Sequence, residues 1–194
     1  MTARAPTAIA TLWSARPRAY DGRALSSHFA LRELGVAGDS IVAFVGPCRV
    51  PLSRMVDLID AREGKPIRAA RMLHFIAEHF EDSLDLAILR QHLFSATVAE
   101  EVRRAAGPGA AVERRGNDLF VGRRKLTVSI AAKSPVSTLL HVGVNVDPAG
   151  APVPAVGLKE LGVEAEPLAR RLLGLYALEC AIAARSRAKA RPVS

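Results

Sequence analysis

The segment "GNDLFVGRRKLTVSIAAK" (residues 116–133) contains two short apolar runs, and a turn precedes each of them. The first turn carries the Gly, Asn and Asp residues that tight turns favour, and the runs carry the β-branched and aromatic residues that strands favour. A further run, "LLHVGVNVD" (139–147), follows the turn residues Lys-Ser-Pro. We therefore predict an antiparallel meander with strands near residues 110–115, 118–121, 124–131 and 137–146.

Helical patterns lie on both sides of this meander. We predict a turn and a short helix over residues 21–35, and longer helices over 67–80, 84–106 and 165–187. Ser26 or Ser27 is expected to cap the first helix, and Asp82 or Ser83 the third. Two apolar runs, "TAIATLW" (7–13) and "DSIVAFVGPC" (39–48), predict further strands, and the periodicity of residues 49–64 does not decide between loop, strand and helix. The predicted class is α+β, with a central, mostly antiparallel sheet packed with helices.

The length of 194 residues favours a single domain, which we place at residues 1–184, followed by a frayed basic tail at 185–194. No run of about 18 apolar residues is present, and the N-terminal residues lack the apolar stretch of a secretory signal. We therefore expect a cytoplasmic protein with no membrane partner. Cys48 and Cys180 are far apart in the sequence and are expected to be free thiols.

The net charge of +8 is of the kind that nucleic-acid-binding proteins carry, but the excess lies at the two ends of the chain. Residues 1–23 carry +3 and residues 185–194 carry +4, whereas residues 24–184 carry only +1. This distribution argues against a dedicated nucleic-acid site.

Standard motifs for phosphate loops, dinucleotide binding, zinc proteases and nucleophile elbows are absent. On the second predicted helix, His74 and Glu78 are four residues apart, so they either hold a metal or a proton or form an ordinary contact. Arg49 follows a buried strand and is either a fork for a phosphate or carboxylate or a solvated loop residue. His141 lies in an apolar strand and gains interest only if that strand pairs beside the one that carries Lys125.

Lys125 begins a strand directly after a turn. A lysine in that position can aim a compact charge into a cleft that holds a phosphate or an acyl-adenylate, although charged hairpin ends are also very common. Its residue type and position alone leave both interpretations open.

The run "RRGNDLFVGRRKLTVSIA", followed by "LLHVGVNVD", resembles the core of the biotin and lipoate protein ligases. In that pattern an Asn-Asp turn precedes a strand, a lysine strand follows, and the next strand contains a histidine and a glycine. The resemblance implies that Asn117 and Asp118 form the turn and that Lys125 contacts an acyl-adenylate. Ser129 matches the second serine of the lysine strand in that pattern, and His141 with Gly143 match the strand that follows.

A longer resemblance, from Tyr20 to about Ala184, is to the family numbered 366 among the domains of unknown function. It rests on the motifs "YDG", "SH", "GDSIVAF", "GPC", "MVDL", "MLHFI", "EHF", "RQ", "KL", "VSIA" and "SPVS". This family implies the fold shared by biotin and lipoate ligases and class II aminoacyl-tRNA synthetases, and it implies no established reaction.

The resemblance to the ligases is incomplete. Their early strand carries an Arg- and Gly-rich segment where this chain has "SIVAFVGPCRV", and the glycine of their lysine strand is Val128 here. A β-branched side chain at that position narrows the approach of a ligand to the backbone. The pocket can therefore persist even where biotin, lipoate or ATP is not the ligand.

Our leading hypothesis is a ligase- or acyltransferase-like enzyme for a carboxylate, acyl or nucleotide-like small molecule. Lys125 would stabilise anionic charge, and Asp118 would orient Lys125 or bind a divalent ion. The predicted substrate-binding residues are Arg49, His74, Asn117, Ser129, Ser134 and His141. We assign no metal site, and an adenylating step would require ATP and Mg²⁺. We expect the chain to form a homo-oligomer. The alternatives are a non-catalytic ligand-binding or oligomeric assembly module, in which the C-terminal helix joins copies of the chain, and a nucleic-acid accessory protein.

Overall fold

The computed structural model describes residues 9–193. The strands are β1 (Ala10–Ser14), β2 (Ser40–Val50), β3 (Ile67–His79), β4 (Val112–Arg115), β5 (Asp118–Val121), β6 (Arg124–Lys125), β7 (Thr127–Lys133) and β8 (Thr138–Asp147). The helices are α1 (Phe29–Leu34), α2 (Leu58–Arg62), α3 (Leu84–Ala106) and α4 (Ala165–Lys189), with a 3-10 turn at Leu52–Arg54. None of the helices in this part of the chain is long and apolar enough to cross a membrane.

A five-stranded sheet in the order β1-β2-β3-β8-β7 forms the centre of the fold. Strand β1 runs parallel to β2, and the other neighbours are antiparallel, so the predicted α+β class with a mostly antiparallel sheet is confirmed. One face of the sheet carries Leu73 and Phe75, which pack in one core with Phe94 of α3 and Leu172 of α4. The other face packs against the segment that contains Tyr20 and Phe29.

The helix predicted over residues 67–80 is wrong, because these residues form the 13-residue strand β3. Strand β3 is central in the sheet and is covered on both faces, so residues 72–79 are all buried. A strand that is buried on both faces is apolar without alternation, and such a run also satisfies helical spacing over a short window. Pairing with the neighbouring strands β2 and β8 determines that these residues form a strand and not a helix.

The predicted meander is present as strands, but it divides between two sheets. Strands β4, β5 and β6 form a separate three-stranded sheet, whereas β7 and β8 belong to the central one. The chain passes from the small sheet to the central sheet at Leu126, whose N–H donates to the Leu119 carbonyl while its own carbonyl accepts from the Asn145 N–H. Lys125 therefore lies at the junction of the two sheets.

The helix ends agree with the sequence in part. Ser83 caps α3 by accepting a hydrogen bond from the Leu86 N–H, as predicted. The expected serine cap of α1 is wrong, because His28 occupies the cap position in the left-handed conformation, at φ 61°. Helix α4 continues to Lys189, five residues into the segment that was expected to fray.

The chain before α1 lies directly against β2. A Cβ atom at Gly46 would be 1.7 Å from the carbonyl oxygen of Arg18, so only glycine lets the two backbones approach this closely. The pairing of β2 with β3 shifts between Gly46 and Cys48. Beyond this bulge, Tyr20 forms a parallel bridge with Cys48, which places the tyrosine over the sheet.

Candidate functional site

A cavity of about 610 Å³ lies on the face of the central sheet that is turned away from α3 and α4. Its floor is formed by side chains of β3, β7 and β8, and its walls by the segment around Tyr20 and by the excursion between β2 and β3. The floor residues are Met72, Val128, Ile130, His141 and Asn145. The excursion contributes Arg54, Met55, Val56, Asp57, Asp60, Gly64, Lys65 and Pro66. Apolar and charged side chains therefore share the same enclosed space.

Lys125 and Asp118 form an ion pair in the cavity wall, with 2.7 Å between Nζ and Oδ2. Both side chains are mostly enclosed, at 28% and 24% exposure. Burial raises the pKa of the Asp118 carboxyl, and the nearby Lys125 ammonium only partly opposes that rise. The negative charge of Asp60 raises the pKa of Asp118 further, so the two carboxylates interact electrostatically. The ion pair therefore lies at the edge of a space that is partly shielded from water.

The backbone of Lys125 is fixed on both sides. Its N–H donates to the Pro154 carbonyl at 2.9 Å, and its carbonyl accepts from the Val156 N–H at 3.1 Å and from Nδ2 of Asn145 at 3.2 Å. These contacts fix the position from which the ammonium reaches Asp118 in the cavity wall.

Asn117 and Ser129 connect the turn before β5 to helix α3. The backbone carbonyl of Asn117 accepts from the hydroxyls of Ser95, at 3.0 Å, and Ser129, at 3.2 Å. The Ser129 hydroxyl in turn accepts from Nε2 of Gln91 at 2.8 Å. Both residues border the cavity, and their hydrogen bonds hold Asp118 in position.

His141 reaches the cavity as part of a buried ring stack. Its ring lies 3.9 Å from the ring of Tyr20, centroid to centroid, at an angle of 14°. On its other side, Nε2 of His141 lies 3.1 Å from Nδ1 of His74. Burial lowers the pKa of His74 to about 3 and holds the pKa of His141 well below its usual value. Both imidazoles are therefore uncharged at neutral pH.

The structure brings five of the eight predicted site residues to the cavity: Asn117, Asp118, Lys125, Ser129 and His141. The other three lie elsewhere. His74 is fully buried behind His141, Arg49 is exposed and lies opposite Arg68 in the β2–β3 ladder, and Ser134 is in the turn between β7 and β8. Ser134 accepts from the N–H groups of Val136 and Ser137, so its hydroxyl is used within the turn.

The proposed metal- or proton-binding pair of His74 and Glu78 is wrong as a helical pair. On a strand, residues four apart share a face but are about 13 Å apart along the chain. Glu78 instead accepts hydrogen bonds from the His28 N–H, at 2.8 and 2.9 Å, and from the Ser137 hydroxyl at 2.7 Å. Residues 9–193 contain no group of three or more His, Cys, Asp or Glu side chains that could hold a metal ion.

Sequence reasoning missed several residues that line the cavity, chiefly Tyr20, Arg54, Asp60 and Asn145. Arg54 and Asp60 belong to the segment whose structure the periodicity did not decide. Asn145 could have been found from strand alternation, because it lies two residues from Gly143 and four from His141 on one face of β8. Tyr20 carries no signal of its own, since a distant loop delivers it to the sheet.

Residues 9–191 match the sequence profile of a family described as "Domain of unknown function (DUF366)". The chain belongs to this family. An uncharacterized protein of Methanocaldococcus jannaschii is 36% identical to it over 152 residues, which are 75% of this chain and 67% of that protein. A protein of unknown function from Pyrococcus horikoshi has a TM-score of 0.90 at 37% identity, and the match covers 96% of this chain and 100% of that one.

Solved ligases share the fold of this DUF366 protein at low sequence identity. The biotin protein ligase from Aquifex aeolicus, in complex with biotin and ATP, has a TM-score of 0.55 at 13% identity over 89% of this chain and 70% of that one. A putative lipoate protein ligase from T. acidophilum with bound lipoic acid has a TM-score of 0.51 at 12% identity, over 90% and 85% of the two chains. The predicted biotin/lipoate ligase-like fold is confirmed.

Proposed function

We propose that this protein is a ligase- or acyltransferase-like enzyme that binds a small molecule with a carboxylate, acyl or nucleotide-like group. The observation that carries the proposal is the ammonium of Lys125, which is paired with Asp118 in the wall of a 610 Å³ cavity. A cavity of this size and mixed lining is typical of small-molecule sites. The ligase-like fold supports the proposal without identifying the ligand.

The lining favours a ligand with both an apolar and an anionic part. Met72, Val128 and Ile130 form an apolar strip of the floor, and Lys125 lies at one end of it. An anion that replaces Asp118 at Lys125 regains a charge-assisted hydrogen bond in a partly desolvated place, where such bonds are strong. The apolar remainder of the ligand would then cover the strip and exclude water from the ion pair.

ATP and Mg²⁺ are compatible with the residues of this cavity. Lys125 together with Arg54 or Lys65 of the excursion would hold phosphates, and Asp118 or Asp60 would supply the one or two carboxylates that Mg²⁺ usually takes beside phosphate oxygens. ATP would supply an activated leaving group for a carboxylate. Asp118 would then orient Lys125, and Lys125 would hold the negative charge that develops on the reacting oxygens.

A covalent enzyme intermediate is not favoured by the groups near the floor. Burial raises the pKa of the Cys48 thiol to about 12 and raises the pKa of the Tyr20 hydroxyl above its usual value, so neither is an activated nucleophile. The chemistry we propose is therefore direct transfer between bound substrates. A non-catalytic ligand-binding module would have the same cavity and would bind ligand without forming product.

Isothermal titration calorimetry with ATP, octanoate and a non-hydrolysable octanoyl-adenylate analogue tests the proposal. We expect at least one of these probes to bind, and Lys125→Ala to weaken that binding about tenfold or more, the factor for one lost hydrogen bond to a charged group. Lys133→Ala is the matched control, because Lys133 pairs with Asp82 outside the cavity. No binding by any probe, or equal binding by both variants, would refute the proposal. Pyrophosphate release from ATP and octanoate distinguishes an enzyme from a binding module.

A further inference from the structure

The end of the cavity away from Lys125 carries polar groups of a different kind. Asn145 donates a hydrogen bond to the Lys125 carbonyl. His141 lies four residues before Asn145 in β8, which is about 13 Å away at the usual rise of a strand. Tyr20 and His141 are only 3% and 2% exposed, yet both border the cavity. Within residues 9–193, no hydrogen bond is made by the Tyr20 hydroxyl or by Nδ1 of His141, and the fully buried ring atom without a partner is Nε2 of His74.

These buried groups have no fixed charge to complement. The titratable groups in and beside the ring stack are Tyr20, Cys48 and Asp21, of which the last two act on the Tyr20 hydroxyl. The first two are neutral because burial raises their pKa values, and Asp21 is engaged with Arg54 at the cavity edge. A charged ligand group would lose its hydration here and gain no opposite charge, which is costly. An uncharged group would gain the hydrogen bonds that the protein leaves unmade.

His74 determines what His141 can offer to such a group. Two neutral imidazoles that share one hydrogen bond have linked tautomers. If Nε2 of His141 donates to His74, then Nδ1 of His141 is a bare acceptor; if Nε2 accepts, then Nδ1 carries a proton and donates. The tautomer of His74 therefore decides whether Nδ1 of His141 accepts or donates, and in both cases the rings stay uncharged.

We propose that this end of the cavity is a subsite for an uncharged hydrogen-bonding group of the ligand, an amide or a hydroxyl, contacted by Tyr20 and His141. His74 is a positioning residue that sets the tautomer of His141. The subsite rests on the proposed function only in using the same cavity, because it requires no contact with Lys125. Together the two ends describe a ligand that is anionic at one end, apolar in the middle and neutral but polar at the other.

Nuclear magnetic resonance of protein labelled with ¹⁵N in the histidine rings tests this subsite with acetamide as a neutral probe and acetate as its charged counterpart. We expect acetamide to move the ring nitrogen shifts of His141 to saturation, and acetate at the same concentration to leave them in place. Tyr20→Phe, which keeps the stacked ring, should weaken the apparent affinity for acetamide about three- to tenfold. Lys125→Ala should leave it unchanged, and the signals of His79, on the other face of the sheet, should stay still throughout.

Unshifted His141 signals with acetamide, or equal shifts with acetate, would overturn the subsite. The positioning role of His74 predicts a scalar coupling across the His74–His141 hydrogen bond in the wild-type protein, with neutral rings from pH 5 to 8. Absence of that coupling, or a charged ring in that range, overturns the role even if His74→Gln does not fold. An acetamide response without binding of any anionic probe would leave the subsite standing and remove the proposed function; anion binding without an acetamide response would do the reverse.

Discussion

Glu78→Gln should destabilise the protein by about 2–3 kcal/mol. The Glu78 carboxylate is 3% exposed and accepts the His28 N–H and the Ser137 hydroxyl at 2.7–2.9 Å. A hydrogen bond to a charged group contributes about 1.5–3 kcal/mol, and in the glutamine variant Oε1 can still accept both donors while the bond from the His28 N–H to the second oxygen is lost. The NH₂ group of the glutamine would replace the second carboxylate oxygen and would face the His28 N–H, which is also a donor. The loss is therefore close to one charged hydrogen bond, or about 4–12 °C in Tm for a chain of this size.

Urea denaturation followed by circular dichroism measures this loss. Glu166→Gln is the matched control, since Glu166 is exposed and pairs with Arg170 one helical turn away, a contact that contributes about 0.5 kcal/mol. If the two variants have free energies of unfolding within about 0.5 kcal/mol of each other, Glu78 does not anchor the segment that carries His28. That result would also remove the support for Tyr20 as a fixed wall of the cavity.

Three other outcomes follow from the structure. Because a left-handed conformation costs a side-chain-bearing residue about 1–2 kcal/mol, His28→Gly should be more stable than His28→Ala by about 1 kcal/mol in urea denaturation; the reverse order would contradict the φ of 61°. His74 and His141 have pKa values below the value of about 6.5 in the unfolded chain, so the unfolded state binds more protons as the pH falls. Stability should therefore fall by about 2 kcal/mol per histidine between pH 7 and pH 5, and a flat profile across that range would contradict two neutral rings. Gly46→Ala should cost more than about 3 kcal/mol because its Cβ meets the Arg18 carbonyl, whereas Gly109→Ala, with open space around it, should change the midpoint little.

The meander could be predicted from its own residues because turn chemistry and β-branched content act locally. The turns at Gly116 and Gly122 have φ of 65° and 60°, which glycine adopts freely, so the strand limits followed directly. The strand β3 could not be predicted in the same way. Its second half is buried on both faces, and that burial depends on β2, β8, the segment around Tyr20 and the helices α3 and α4.

The residues of the candidate site divide in the same way, into those that the local sequence identifies and those that only the fold brings together. Lys125 and Asp118 were found because a turn and a strand start place them within seven residues of each other, and their resemblance to a ligase pattern added weight. Tyr20, Arg54 and Asn145 come from three separate segments, and only the folded sheet makes them neighbours. Arg49 was chosen for its position after a strand, but the alternation of β2 beyond the bulge leaves its side chain exposed opposite Arg68.

The sequence by itself determined the α+β class, the limits of α3, the short strands around Gly116 and Gly122, and the lysine that follows the second turn. Each of these depends on interactions within a few residues, which a linear pattern records. The tertiary structure alone decided that β3 is a strand, that the meander splits into two sheets, and that Lys125 and His141 border one cavity. Those features depend on which distant surfaces exclude water from each other, and that pairing is a property of the whole chain.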